Sequence, residues 1–316
     1  MTTETDNKVL ERLKQWECGK GFLALKRSEQ GQYIELHRRL LELKVEDSYL
    51  PTLNEHISDV TARFAQGDYM LRFEDLLLDW TSFQDLFRES SSIIGEYSSA
   101  SSDASGLSEL ASRWEGLSSP DEVAIKQTLL EKAAKAWYQH RSLGDLANEY
   151  ATETLVVSRI EVDEEILSLS LQAAFHPLLV KYSEALSPLV DQESWRNRLC
   201  PVCGGKPDFA FLSKEIGARW LVCSRCDTEW LFFRLECPFC GNRDQDSLTY
   251  FTDESELYRL YTCEQCRGYI KAIDLRRAED AILFPLERIL TLDLDRQGYD
   301  AGYKPGWISL NLKLRV

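Results

Sequence analysis

The sequence predicts an α+β protein: an all-helical N-terminal domain, then two tandem four-cysteine β modules, then a short C-terminal helix. Three observations carry this reading. Apolar residues recur every three or four positions up to about Trp195, the period of one buried helix face. From about Arg196 four C-x-x-C pairs follow one another, with short apolar runs and turn residues between them. The charge divides at the same place. Residues 196–316 hold 18 Lys+Arg and 18 Asp+Glu; the remaining 19 basic and 34 acidic residues lie in 1–195, so the helical part carries the whole net charge of −15.

The helical part is read in chain order. Tyr33, Leu36, Leu40 and Leu43 form one stripe on a helix over Gln32–Lys44. Leu50-Pro51 starts another, with proline where its missing N–H costs nothing. Asp68 to Leu78 continues the pattern with Leu71, Leu77 and Leu78, followed by Trp80 and Phe83. Serine makes up 12 of the 30 residues of 90–119, which reads as a mobile inserted loop with short helical pieces. Ser119-Pro120-Asp121-Glu122 opens a helix through Trp137. Glu161 to Pro188 is the last helix, with His176-Pro177 expected to kink or break it.

The first ten residues carry Glu4, Asp6 and Lys8 without an apolar segment, unlike a secretory signal. No stretch approaches the ~18 uncharged apolar residues of a membrane span. A cytoplasmic protein without membrane insertion is expected. An acidic body beside a neutral ribbon part argues against nucleic acid as a partner. His37, His56, His140 and His176 are scattered, and Gly19-Lys20-Gly21 lacks the context of a phosphate loop. Cys18 stands alone and reads as a plain thiol. With no catalytic triad signature either, the chain is expected not to be an enzyme.

Eight of the nine cysteines form an internal repeat. Cys200-Pro201-Val202-Cys203-Gly204 is followed after 19 residues by Cys223-Ser224-Arg225-Cys226, and Cys237-Pro238-Phe239-Cys240-Gly241 after 22 residues by Cys263-Glu264-Gln265-Cys266. A tight turn between two thiolates two residues apart lets both face one ion, and Gly204 and Gly241 suit the positive φ such a turn needs. Two knuckles joined by a hairpin make a tetrahedral S4 site, the build of rubredoxin-like and zinc-ribbon modules. The repeat assigns Cys200, Cys203, Cys223 and Cys226 to one site and Cys237, Cys240, Cys263 and Cys266 to the other. The competing arrangement, Cys223 and Cys226 with Cys237 and Cys240, would split both repeat units. Strands Arg219–Val222 and Arg259–Thr262 lead into the closing knuckles, and the three extra residues of the second copy are assigned to its hairpin. The modules are bounded at 196–235 and 236–316, the second including the C-terminal helix and tail. The residues leave zinc and mononuclear iron equally open.

These motifs resemble a known family. Cys200-Pro-Val-Cys203-Gly, Gly217-Ala-Arg-Trp-Leu-Val-Cys223-Ser-Arg-Cys226-Asp-Thr-Glu-Trp230, Cys237-Pro-Phe-Cys240, Tyr261-Thr-Cys263-Glu-Gln-Cys266-Arg-Gly-Tyr-Ile-Lys271 and Leu292-Asp-Leu-Asp-Arg-Gln-Gly298-Tyr299 are similar to the formate dehydrogenase accessory protein family, FdhE. The resemblance spans about residues 196–300. It implies a cytoplasmic maturation factor that binds the catalytic subunit of formate dehydrogenase, with two mononuclear ions. Iron of the rubredoxin type is favoured and zinc is the alternative. The other readings are a rubredoxin-like electron carrier and a zinc-ribbon nucleic-acid-binding protein. A docking surface is expected around Trp220, Trp230 and Tyr269, with Trp230 also covering the ribbon core. Arg219, Arg225, Arg267 and Lys271 flank the sulfurs as screening charges or as contacts for an acidic partner.

Overall fold

The structure, a computed structural model, describes residues 29–43, 57–98, 130–141, 164–252, 256–278 and 282–307. Cys18, the Leu50-Pro51 helix start and residues 99–129 lie outside them. The chain forms two compact units. Among the described residues one comprises 29–43, 73–98, 130–141 and 164–177, and the other 57–72 and 178–307. No helix of the described residues is long and apolar enough to cross a membrane.

The first unit is helical: α1 (Glu29–Leu41), α3 (Trp80–Ser98), α4 (residues 130–138) and the N-terminal part of α5 (Glu164–Leu186). Phe175, fully buried on α5, collects the aromatic rings of this unit. Phe83 lies 4.5 Å from it, Trp137 stacks on it at 5.1 Å, and Tyr138 and Phe73 sit at 6.2 and 6.5 Å. These rings are core, as their helical spacing implies. Truncation to Phe175→Ala should therefore cost about 3–5 kcal/mol, read from a denaturant midpoint.

Two expectations for the helices differ from what is found. The helix α3 runs on through Ser90–Ser98, the start of the segment expected as a loop with short helical pieces. Buried Ser90 stays helical by donating from Oγ to the Leu86 carbonyl at 2.7 Å, and Ile93 and Ile94 bury beside it. α5 continues through Pro177 without a break. One lost backbone bond is outweighed by Leu171, Ala174, Phe175, Leu178, Leu179 and Tyr182, all buried along the same helix.

The second unit carries the ribbons. Its strands are β1 (Pro207–Leu212), β2 (Arg219–Cys223), β3 (Glu229–Leu231), β4 (Leu248–Thr252), β5 (Tyr258–Cys263), β6 (Gly268–Asp274) and β7 (Lys304–Pro305). Within each copy the strands pair antiparallel, β1–β2–β3 and β4–β5–β6. The copies then fuse: β1 pairs parallel with β6, Phe209 opposite Lys271 through Leu212 opposite Asp274. One seven-stranded sheet results, in the order β3-β2-β1-β6-β5-β4, with β7 beside the start of β6. The tandem modules are thus halves of a single sheet. The strand that joins them, β6, is buried along all seven residues, as a strand covered on both faces must be.

Its core includes two clusters, Phe209, Phe211, Val222 and Ile273, and Leu260, Tyr269, Leu294 and Tyr303, with Tyr258 packed against both. Two C-terminal helices, α6 (Phe284–Leu290) and α7 (Leu292–Asp300), stand where one was expected. They meet at Thr291, whose hydroxyl bonds the Glu287 carbonyl at 2.7 Å.

The segment Asp68–Leu78 is not a continuous helix. α2 (Ile57–Ala65) ends before it, and a 3-10 turn at Phe73–Leu76 follows. Between them the Met70 and Leu71 amides donate to the Pro201 and Val202 carbonyls at 2.9 and 2.8 Å. Those donors are taken by the first cysteine knuckle, so they cannot serve a helix.

Candidate metal centre

Each knuckle is a tight turn closed by backbone bonds. Gly204 N donates to the Cys200 carbonyl at 3.0 Å, Gly241 N to Cys237 at 3.0 Å, and Arg267 N to Cys263 at 2.9 Å. The residue after each pair turns back through positive φ: Gly204 at 69°, Asp227 at 57°, Gly241 at 76° and Arg267 at 56°. The two glycines were legible from the sequence. Asp227 and Arg267 occupy the same position without glycine's freedom, and each is held by side-chain contacts. Arg288 pairs with Asp227 at 2.6 Å, and the Arg267 guanidinium lies 4.2 Å from the Tyr303 ring centre.

These turns bring together all eight expected thiols, four and four. Cys200, Cys203, Cys223 and Cys226 form one cluster and Cys237, Cys240, Cys263 and Cys266 the other, the sulfurs of each within 4.8 Å of one another. The competing pairing across residues 227–236 does not occur. In the first cluster Cys200 and Cys226 lie 3.6 Å apart, and Cys203 and Cys223 3.5 Å. In the second, Cys237–Cys266 and Cys240–Cys263 are both 3.7 Å. All eight are free thiols. Sulfurs bound tetrahedrally at ~2.3 Å to one ion would stand about 3.8 Å apart. Each cluster therefore fits one four-coordinate ion, and that ion would keep no open position.

Electrostatics point the same way. Burial pushes the Cys200, Cys203 and Cys226 thiols well up. Burial opposes charge on Cys223 too, yet hydrogen bonds from the other three thiols and the Arg225 amide outweigh it and hold Cys223 well below the ordinary thiol range. Four thiolates side by side require a cation at their centre.

Further residues shape the first cluster. Thr228 Oγ1 lies 3.0 Å from Cys226 Sγ and 2.7 Å from the Ser183 hydroxyl of α5. Arg288 of α6 bonds Asp208 at 2.8 Å, Asp227 at 2.6 Å and the Cys223 carbonyl at 2.9 Å, and so fixes the second knuckle against β1. A Cβ at Gly205 would lie 2.8 Å from Cys223 Sγ. Gly205→Ala is expected to lose the ion of the first cluster and keep that of the second, measured as metal per chain. The second glycine of the Cys-Gly-Gly run was the only local signal for this position. Nothing near Arg288 in the sequence marks its role.

In the second cluster the repeat's three extra residues lie ahead of β4, not in the hairpin. They form the 3-10 turn Gln245–Ser247, started by Asp244, whose Oδ1 accepts from the Asp246 amide at 3.2 Å. Ser247 accepts from the Glu264 amide at 2.9 Å. Asn242 Nδ2 reaches both Ser247 Oγ at 2.6 Å and Cys263 Sγ at 3.7 Å. The insertion ties the third knuckle to the fourth.

The expected docking surface is not a surface. Trp230 and Tyr269 are buried, with Trp230 Nε1 donating to the Asn197 carbonyl and the Tyr269 hydroxyl to Asp295. Trp220 is half-buried and stacked on Phe211 at 5.9 Å. Among the flanking cations Arg219, Arg225 and Lys271 are buried as well. Arg219 donates to the Phe233 and Glu236 carbonyls, and burial lowers its pKa to about 10. Lys271 pairs with Asp295 at 2.6 Å. Of the four, Arg267 alone reaches the surface, paired with Glu264.

Comparison with known proteins places these features. The family model described as FdhE, central domain, matches residues 199–234, the first ribbon. The chain is 36% identical over 157 residues to Protein FdhE homolog of Aquifex aeolicus, covering 48% of this chain and 54% of that protein. It is 32% identical over 140 residues to Protein FdhE homolog of Stutzerimonas stutzeri, covering 43% and 44%. The match thus spans about half or less of the length of these relatives. A crystal structure of the FdhE protein from Pseudomonas aeruginosa superposes with a TM-score of 0.56 at 18% identity, covering 98% of this chain and 97% of that one. At that identity the likeness speaks for the fold.

Proposed function

We propose that the chain is an FdhE-type cytoplasmic accessory factor for formate dehydrogenase, engaging the catalytic subunit during maturation, on its likeness to the FdhE central domain and to FdhE homologues. In this reading the eight cysteines hold two ions, and the chain performs no catalysis of its own. One observation carries the proposal: the FdhE central-domain likeness falls on the first of two ribbons whose clusters present four sulfurs each. A metal closed by four protein ligands offers no position for a substrate, which suits a scaffold and not a hydrolase. Iron is the favoured ion and zinc the alternative. Metal analysis and a visible spectrum of the purified protein distinguish the two.

The test is capture of the catalytic subunit by the tagged chain, together with formate dehydrogenase activity in cells lacking and regaining the gene. Wild type should capture the subunit and restore activity. The reading fails if activity is independent of the chain and no subunit is captured. A second reading, an electron carrier, is favoured by the solvent-reachable edge of the second cluster at Cys240 and Cys266. It requires reversible bleaching of an iron chromophore by dithionite.

A further inference from the structure

The two clusters have the same ligands and different surroundings. Cys200, Cys203, Cys223 and Cys226 are each 0–1% exposed. Three segments from outside the ribbon cover them. The Met70 and Leu71 amides hold the first knuckle by its carbonyls, and the Tyr69 ring lies where a Cβ on Gly204 would meet it at 2.9 Å. Ser183 of α5 holds Thr228, which touches Cys226. Arg288 of α6 holds Asp208, Asp227 and the Cys223 carbonyl.

The second cluster lacks such a cover among the described residues. Cys237 and Cys263 are buried, but Cys240 and Cys266, one from each knuckle, are partly exposed. Distant segments hold its knuckles too, but leave Cys240 and Cys266 partly exposed. Arg198 donates to the Phe239 carbonyl at 2.9 Å, the Phe239 ring packs against Gly268 and Gly306, and Lys304 N donates to the Arg267 carbonyl at 2.9 Å.

We infer that the two centres divide their roles: the first is a permanent structural centre, and the second is an exchangeable one whose open edge, Cys240 and Cys266, is reached by soft metal ions, chelators and thiol-directed electrophiles. The inference rests on the metal reading of the clusters and is independent of which partner the protein serves. Replacing an ion at a tetrahedral thiolate site needs an incoming ligand to approach a sulfur or the metal, or a thiolate to leave and take up a proton. Two cysteines of the second cluster are partly exposed and none of the first is. A thiolate adds to one carbon of the maleimide double bond, whose other carbon takes up a proton from water, and no oxidant is consumed, so the same contrast can be read covalently.

The experiment uses the intact metal-loaded protein. Its ions are withdrawn with the chromogenic chelator 4-(2-pyridylazo)resorcinol, and a parallel sample is treated with limiting N-ethylmaleimide and mapped by peptide mass. One ion per chain should leave at least about tenfold faster than the other, with Cys240 and Cys266 labelled ahead of Cys200, Cys203, Cys223 and Cys226. In Tyr69→Ala, which uncovers the first knuckle without touching a ligand, the slow ion should leave faster and the fast one unchanged. Release of both ions in one phase, or labelling of the first cluster as early as the second, overturns the division of roles. Protein that carries no ion when purified anaerobically without added chelator overturns the metal reading itself. Neither result bears on capture of the formate dehydrogenase subunit, so the two proposals fail separately.

Discussion

Stripping both ions is expected to unfold the seven-stranded sheet. The strands of this sheet run from two to seven residues, and the two buried clusters that line it hold four residues each. A domain's net stability is only ~5–15 kcal/mol, so strands this short depend on what braces their ends. A structural tetrathiolate ion supplies ~10–16 kcal/mol of binding free energy that exists only in the folded form. Chelation, or a Cys200→Ser or Cys223→Ser substitution, should therefore abolish the near-ultraviolet signal of buried Trp230 and the cooperative melt of the ribbon unit. Acid should act in the same direction. The ligands bind as thiolates, so ion binding releases protons, and the ions are held less tightly as the pH falls. An unchanged melting temperature after complete metal removal would refute this account.

Arg288→Ala should be the most damaging change away from the cysteines, at about 3–5 kcal/mol, because it leaves partners buried and unpaired. Arg288 meets two carboxylates at once, and the Asp208 and Asp227 side chains are 12% and 19% exposed. Burial pushes Asp208 up from its ordinary value, and the Arg288 charge opposes this. Without the guanidinium, two like charges face each other beside Cys223. Lysine at 288 should recover part of the loss only, since one ammonium cannot reproduce a fork that bonds two carboxylates and a carbonyl. Arg288→Met combined with Asp208→Asn should be more stable than Arg288→Met alone. Denaturant midpoints on the loaded protein decide the matter; a loss under ~1 kcal/mol for Arg288→Ala would show that the pair is not holding the knuckle.

The cysteine knuckles were legible because their chemistry is local. Two thiols two residues apart, followed by glycine, can hardly do anything but turn upon a common centre. The repeat of that unit assigns Cys200, Cys203, Cys223 and Cys226 to one centre and Cys237, Cys240, Cys263 and Cys266 to the other, as the structure groups them. The aromatic helix faces were legible for the same kind of reason, since Trp80 and Phe83 stand three positions apart on one helix. Signals that compete locally were misleading. Ser90–Ser98 has a loop's composition and a helix's packing, and Pro177 has a breaker's chemistry within an apolar helix that outweighs it.

Other features had no signal within reach of a sequence window. The parallel pairing of Phe209–Leu212 with Lys271–Asp274 joins residues some sixty positions apart. So does the Arg288 clamp on Asp208 and Asp227, and Tyr69 covers Gly204 from still further away. Tetrahedral thiolate coordination needs only turns and spacing, which a linear chain spells out; whether a turn is then roofed over or left facing water depends on distant segments arriving above it. That difference separates the two clusters, whose motifs are nearly identical and whose surroundings are not.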